Sequence, residues 1–400
     1  MTAYLDILRD RRIATLLGAA LIARLPFGIN ALAIVLFLRE QTGSFSTAGA
    51  VAGALALGAG MGAPVMGRFV DRRGATMLLP LAAGNATGLL TLLALGSQNA
   101  SAATLMATAF LTGFSYPPSP SVLRARFAEL LFDKPQLVAS AYALDSVLLE
   151  VSFVCGPLIV AAVVATIGPG AALAVSAASV LTGVTVFVSA LPPDRTPVSH
   201  DDVRGLLGVL RAPGITTLVL TMFPIGFALG SLEVSVPAFT HDESRPELAG
   251  VLLAIWAIAS AAGGFVYGVR PRRSSLAGLH HRLTLLLPIG LAAPLLAPSI
   301  PVMAVMLVPA GVLIAPIIAT RNELASEAAP PGTKTEALTW PLTALVAGLA
   351  SGAAAGGRLI DAADWHAPVL AAVVGAAIGA LVATARRESL SAAVAAARSS

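Results

Sequence analysis

Charged residues are scarce in this sequence of 400 residues. Asp, Glu, Lys and Arg make up 12% of the chain, against roughly 25% in an ordinary soluble domain, and apolar residues make up 56%. A chain of this size with so few charges lacks the polar surface of a water-soluble protein. Its apolar segments reach about 20 residues, the length of a transmembrane helix and about twice that of a membrane-barrel strand. The sequence therefore predicts an all-α membrane protein.

Three further absences narrow the function. Cys155 is the single cysteine, which excludes a disulfide framework and a cysteine-based metal cluster. The chain has no GxxxxGK phosphate loop, so direct use of ATP is not expected. No His lies in the interior of a predicted span, where an intramembrane enzyme would need His, Ser or paired acids. We expect no metal, no cofactor and no enzymatic activity; a membrane-embedded enzyme or a non-transporting receptor is the alternative from another class.

The arrangement of basic residues predicts the topology. The length accommodates twelve spans of about 22 residues with short loops. With the N-terminus in the cytoplasm, the 25 Lys and Arg residues fall in cytoplasmic segments, except for Arg24, Arg39, Arg245 and Arg358. We therefore expect a multi-pass protein of the inner (cytoplasmic) membrane with both termini cytoplasmic. The net charge of +4 comes from basic residues in the cytoplasmic loops, which orient the protein in the lipid bilayer. No nucleic-acid partner is expected.

A repeat of about 200 residues divides the chain into halves. Residues 48–73 resemble residues 249–273, and Pro26-Phe-Gly matches Pro224-Ile-Gly. An even number of spans per half inserts both halves the same way up, which makes the repeat parallel. The predicted domains are an N-terminal six-helix bundle over 1–191, a central cytoplasmic loop over 192–213 and a C-terminal six-helix bundle over 214–400.

Proline and glycine patterns predict details of helix shape and packing. Prolines in equivalent spans are expected to kink the fourth span, over 102–123, and the tenth; they are Pro117, Pro118, Pro120, Pro309 and Pro316. Glycines spaced four apart predict close packing of the second and eleventh spans. These glycines are Gly49, Gly53, Gly58, Gly62, Gly348, Gly352 and Gly356.

Residues 67–74, between the second and third spans, read GRFVDRRG. They resemble the G-x-x-x-D-R-x-G motif of the major facilitator superfamily, although Ala75 and Thr76 replace the basic pair that follows it there. Gly156-Pro157 in the fifth span resembles the antiporter motif of that family's drug exporters, without the glycine pair that follows. The resemblance covers essentially the whole chain. It implies twelve transmembrane helices in two parallel-repeat six-helix bundles, and secondary transport by alternating access.

The resemblance also implies a cytoplasmic gate formed by Gly67, Asp71, Arg72 and Gly74. Gly67 is expected to let the second helix end against a close neighbour, and Gly74 to permit the tight turn into the third helix. The Asp71 carboxylate is expected to accept from a helix N-terminus, such as that of the eleventh span. The alternative is an ordinary basic turn that fixes topology.

Four ionisable residues lie within predicted spans, where a charge is costly and marks a functional site by default. Arg24, Asp145 and Glu150 lie about 17, 12 and 20 Å into the first and fifth spans. Glu233 lies about 28 Å into the seventh span, near its outer boundary, and an ordinary carboxylate at the membrane interface is the alternative for it. Because Asp145 and Glu150 are about 140° apart around their helix, both cannot face Arg24. We predict that Glu150 pairs with Arg24 and carries the coupling proton, with Asp145 as second candidate; a static ion pair is the alternative.

The predicted substrate cavity contains Arg24, Asn30, Glu150 and Glu233. A helix–helix hydrogen bond is the alternative role for Asn30. The resemblance implies that the first, fourth, seventh and tenth helices line this cavity, and these are rich in Leu, Phe and Met with few fixed charges. The function expected is therefore proton-coupled efflux of a small amphipathic compound by a monomer. A sugar or metabolite permease of the same fold is the alternative.

Overall fold

Every regular element in the described part of the chain is a helix. The computed structural model describes residues 7, 9–131, 133, 137–192, 212–269, 275–328, 334–388 and 390. Within these ranges the α-helices are α1 (Arg11–Thr42), α2 (Phe45–Arg73), α3 (Leu78–Ser97), α4 (Ala102–Phe114), α5 (Ser119–Leu130), α6 (Val138–Thr166), α7 (Pro169–Ala190), α8 (Pro213–Asp242), α9 (Ala249–Val269), α10 (Leu276–Ala292), α11 (Ile300–Glu327), α12 (Lys334–Ala362) and α13 (His366–Ala385). Short 3-10 turns occupy Ala75–Met77, Pro246–Leu248 and Ala293–Leu296.

The helix lengths confirm a multi-pass membrane protein. Eleven helices of the described chain are long and apolar enough to cross a bilayer. The fourth predicted span is instead divided between two shorter helices, α4 with 13 residues and α5 with 12. Together these two helices occupy the place of the remaining predicted span.

The division of the fourth span corrects the predicted kink. α4 ends at Phe114 and α5 begins at Ser119, with an irregular segment between them. Pro117 and Pro118 have no backbone N–H to donate, and each disfavours a helical conformation in the residue before it. Two consecutive prolines therefore end the helix rather than bend it. The separated prolines of the equivalent tenth span lie within one continuous helix, α11.

The chain forms two compact units. The first unit contains Met1–Thr42 and Leu57–Ser199, and the second contains Gly43–Ala56 and His200–Ser400. In the first unit α1 packs on α6 and α7, and α3 packs on α7. In the second unit α8 packs on α12 and α13, and α10 packs on α13. The same pairs of repeat-related helices thus pack in both units, as a sequence repeat predicts.

Two glycines matched by the repeat make matched contacts. A Cβ atom on Gly28 of α1 would lie 2.3 Å from the Ser152 carbonyl oxygen on α6. A Cβ atom on Gly226 of α8 would lie 2.1 Å from the Leu345 carbonyl oxygen on α12. Only glycine permits so close an approach of two helix backbones. The first predicted span of each half (α1, α8) therefore packs at backbone distance against the fifth predicted span of that half (α6, α12), which supports the repeat independently of sequence matching.

The other glycine patterns divide among several partners. Gly49 and Gly53, in the part of α2 that belongs to the second unit, face α12 as predicted. Gly58 and Gly62, in the part that belongs to the first unit, face α4 instead. On α12, Gly348 and Gly352 face the backbone of α8 at Phe223 and Phe227. The glycines therefore do let both spans pack closely, but against several neighbours: α2 packs on α12 and α4, and α12 also packs on α8.

Candidate functional site: a buried charge cluster

A buried ion pair joins α1 to α6 in the first unit. The Arg24 Nη2 atom pairs with the Asp145 Oδ1 atom, and Arg24 Nη1 donates to the Asp145 carbonyl oxygen at 3.1 Å. The side chains are 1% and 0% exposed. The predicted pairing of Arg24 with Glu150 is therefore wrong. Depth along the helix placed both acids near Arg24, but only Asp145 lies on the side of α6 that faces α1.

A second arginine completes the cluster from α5. The Arg124 Nε atom donates to the other carboxylate oxygen, Asp145 Oδ2, at 2.6 Å. Arg124 is 48% exposed, so one guanidinium reaches open surface while that of Arg24 does not. Two arginines thus pair with the two oxygens of one carboxylate. Arg124 lies beyond the predicted end of the fourth span, where a basic residue indicates topology, so its sequence position does not point to the cluster.

The break between α4 and α5 positions this second arginine. In the irregular segment, the Tyr116 hydroxyl donates to the Ala23 carbonyl oxygen at 2.7 Å. The Tyr116 ring also contacts the Phe27 ring, with centroids 4.7 Å apart. These contacts attach the start of α5 to α1 on either side of Arg24. Pro117 and Pro118 thus separate α5 from α4, and α5 places Arg124 beside Asp145.

The other predicted polar residues of the cavity lie apart from this cluster. Glu150 and Glu233 are half-buried, and neither has a hydrogen bond or ion pair with any residue that the structure describes. Asn30 is buried, and its Oδ1 atom accepts from the Ser176 hydroxyl on α7 at 2.6 Å. For Asn30 the geometry fits the alternative role, a hydrogen bond between two helices.

The antiporter-like motif lies at the closest contact of α1 with α6. A Cβ atom on Gly156 would lie 2.4 Å from the Gly28 carbonyl carbon, so the two glycines face each other. Pro157 lies inside α6 without ending it. This contact lies three turns along α6 from Asp145. It holds α6, which carries both Asp145 and Glu150, close against α1.

The predicted gate motif is only partly described. Gly74 has φ of 90°, in the left-handed region that favours glycine, and this confirms the tight turn between α2 and α3. Among the described residues, no atom lies within 4 Å of a Cβ atom placed on Gly67, so the close neighbour expected there is not found in this part of the chain. Arg72 is exposed, and the side chain of Asp71 lies outside the described residues.

Two repeated helical units with an ion pair buried among their spans are typical of a secondary transporter. A family model described as Major Facilitator Superfamily matches residues 16–295. The chain belongs to this family, whose members are transporters and not enzymes. The class expected from the sequence is therefore confirmed.

Two curated relatives match at 26% identity. Multidrug efflux pump Tap of Mycobacterium tuberculosis matches over 393 residues, which cover 89% of this chain and 88% of that protein. The uncharacterized MFS-type transporter y4rN of Sinorhizobium fredii matches over 259 residues, 62% of this chain. That match spans 63% of y4rN, less than two thirds of its length.

Solved structures of the family share the fold. A mutant of nucleoside transporter NupG superposes with a TM-score of 0.76 at 12% identity, covering 94% of this chain and 99% of that one. A bacterial homologue of iron transporter ferroportin, in an inward-facing state, gives a TM-score of 0.71 at 14% identity, covering 94% and 98%. At these identities the likeness shows the fold alone.

Proposed function

We propose that this transporter exports a small amphipathic compound in exchange for protons. The observation that carries the proposal is the match to a multidrug efflux pump over 89% of the chain. Within the repeated units, the helices that the family resemblance places around the substrate are rich in aliphatic and aromatic residues. Such a lining suits an apolar or weakly polar compound, which binds through buried area with few polar contacts.

Glu150 is the proton-coupling carboxyl in this proposal. Asp145 is completely buried and forms ion pairs with both Arg24 and Arg124. Glu150 is half-buried in the same helix and has no ion-pair partner among the described residues. An unpaired acid within a span is the one that gains most from taking up a proton. Arg24 therefore acts on Glu150 only through Asp145 and α6, not as its direct counterion.

The remaining assignments follow from topology and from the family. The protein lies in the inner membrane with both termini cytoplasmic, and it works as a monomer with its domains divided at about residues 191 and 214. Glu233 belongs to the substrate-binding region as its outermost acid, and Asn30 supports that region by joining α1 to α7 through the Ser176 hydroxyl. Gly67, Asp71, Arg72 and Gly74 form the cytoplasmic gate.

Proteoliposomes with an imposed pH gradient test the coupling. The parent protein should accumulate radiolabelled ethidium, an amphipathic cation, only while the gradient persists. Glu150→Gln should abolish this accumulation and keep ethidium binding in detergent, because the amide cannot exchange a proton. Asp364→Asn is the matched control, since this carboxyl is exposed in the turn before α13 and bonds to the His366 backbone N–H.

Two results would contradict the proposal. If Glu150→Gln accumulates ethidium at the parent rate under the pH gradient, Glu150 is not the proton-coupling carboxyl. If ethidium flux through the parent protein does not depend on the pH gradient, transport is not coupled to protons.

A further inference from the structure

A buried arginine in the second unit has no acidic partner among the described residues. The Arg321 side chain on α11 is 3% exposed, and no acid of the described chain forms an ion pair with it. Its Nε and Nη2 atoms donate to the neutral Asn322 Oδ1 atom, and its buried Nη1 atom has no hydrogen-bond partner in that part of the chain. A buried charge without a counterion is strongly unfavourable, so an anionic ligand would gain affinity by compensating it.

The sequence repeat shows how the second unit differs from the first at this point. It aligns the three charged residues of the first-unit cluster with these residues of the second unit: Arg24 with Met222, Arg124 with Arg321, and Asp145 with Thr339. The first pair follows from the match of Pro26 with Pro224, and the last from the match of Ala143-Leu-Asp with Ala337-Leu-Thr. The spacing of the two arginines lies between those of the other two pairs. The second unit therefore keeps one of the three charges and has threonine where the first unit has the compensating carboxylate.

A small apolar cavity of the second unit shares a helix face with this arginine. Apolar side chains of α8, α10, α11 and α12 line the cavity. Those from α11 are Ile314, Ile317 and Ile318, which precede Arg321 by seven, four and three residues and so lie on the same side of the helix. A side chain on a helix leans toward the helix N-terminus, which directs Arg321 along this side toward the isoleucines. A cation thus adjoins a cavity with apolar walls.

A second unsatisfied nitrogen lies on the neighbouring helix α10. The Thr320 hydroxyl, from the residue before Arg321, lies 2.8 Å from His280 Nδ1. This hydroxyl donates its one proton to carbonyl oxygens of its own helix, so it accepts from Nδ1. The His280 Nε2 atom is buried without a hydrogen-bond partner in the described chain, and His280 lies two turns before Leu287, which lines the cavity. Buried polar groups are nearly always hydrogen-bonded, so these two nitrogens indicate a polar ligand group.

We propose that Arg321 and this cavity form a binding site for a small organic carboxylate with an apolar body. The carboxylate pairs with the remaining N–H groups of Nη1 and Nη2, which form the fork that binds a carboxylate through two hydrogen bonds. The apolar body lies among the isoleucines of α11, where its burial adds affinity that an inorganic anion does not gain. The inference goes beyond the proposed export, because it concerns equilibrium binding of an anion within the second unit and involves neither Glu150 nor a proton gradient.

Equilibrium binding of radiolabelled benzoate to the purified full-length protein in a nonionic detergent tests the site. Arg321→Gln should weaken binding about ten- to 150-fold, the range expected for losing hydrogen bonds to a charged group. Arg321→Lys keeps the charge without the fork and should restore part of the affinity. Arg358→Gln, which changes an exposed arginine on α12 of the same unit, should leave the affinity unchanged. Octanoate represents a fatty acid from the bilayer, and stronger competition by octanoate than by unlabelled benzoate would identify an acyl chain as the preferred body.

Benzamide and thermal stability separate anion binding from a structural role of Arg321. Benzamide has the shape of benzoate without its charge and should not compete with it. Benzoate should raise the melting temperature of the parent protein but not that of Arg321→Gln. Without ligand, Arg321→Gln should be at least as stable as the parent, because the change removes an uncompensated buried charge.

Four results would overturn the proposal. They are no saturable benzoate binding by the parent, parent-like affinity in Arg321→Gln, equal competition by benzamide, and a lower melting temperature or failure to fold for ligand-free Arg321→Gln. The last result would make Arg321 a structural residue. Because neither transport nor a pH gradient enters these measurements, failure here is distinct from failure of proton-coupled efflux.

Discussion

Loss of the Asp145 charge should destabilise the protein more than loss of either arginine. Asp145→Asn leaves the Arg24 guanidinium, 1% exposed, without a counterion. Removing one partner of a buried pair costs about 3–5 kcal/mol, because the remaining charge stays desolvated and uncompensated. Arg24→Met should cost less, since Arg124 still pairs with Asp145. Arg124→Gln should cost about 1 kcal/mol or less, because this side chain is 48% exposed and water screens its interaction.

The free energy of unfolding in mixed micelles, followed by far-UV circular dichroism during titration with SDS, measures this order. The double variant Arg24→Met with Asp145→Leu is the control, because it removes both buried charges, and the remaining Arg124 side chain is already 48% exposed. It should recover most of the stability lost in Asp145→Asn. If Asp145→Asn falls within about 1 kcal/mol of the parent, or if Arg124→Gln is the most destabilising change, the buried-pair reasoning is refuted.

Two other substitutions test the packing and the gate. Gly28→Ala should lower the free energy of unfolding by about 1–3 kcal/mol, because its methyl group would meet the backbone of α6 at 2.3 Å; Gly18→Ala, with open space around its Cβ position, should not. Asp71→Asn should lower gradient-driven ethidium transport while expression and thermal stability stay at the parent level, and unchanged transport would remove Asp71 from the gate.

The sequence by itself determined that this is a helical membrane protein. Polar groups are costly in the hydrocarbon of a bilayer, so a membrane protein is recognised by its composition. Few charges, long apolar segments and the bias of Arg toward alternate loops predict helical spans and their orientation without any tertiary contact. Pro26-Phe-Gly and Pro224-Ile-Gly predicted a repeat, and Gly28 and Gly226 make matching backbone contacts in the structure. The same reasoning correctly singled out Arg24 as a buried charge.

Only the tertiary structure decided which charges meet. Depth along a helix is fixed by residue number, so Arg24, Asp145 and Glu150 were placed at similar depth from sequence alone. The rotation of α6 about its own axis depends on its neighbours, and the contact of Gly28 with Gly156 sets which face meets α1. That rotation selects Asp145 as the partner of Arg24 and leaves Glu150 unpaired among the described residues.

The tertiary structure also decided the roles of Arg124 and Asp361, which nothing in the local sequence distinguishes from other charged residues. Arg124 reads as one of many basic residues outside a span, and Asp361 reads as an acid in a loop. Pro117 and Pro118 break the fourth span and so bring Arg124 to Asp145. The packing of α12 on the start of α2 brings Asp361 to three hydrogen-bond donors. Each contact joins residues on different helices, 21 residues apart for Arg124 with Asp145 and more than 300 for Asp361 with the start of α2. No periodicity or spacing specifies such a pairing, because only the packed helices bring these side chains together.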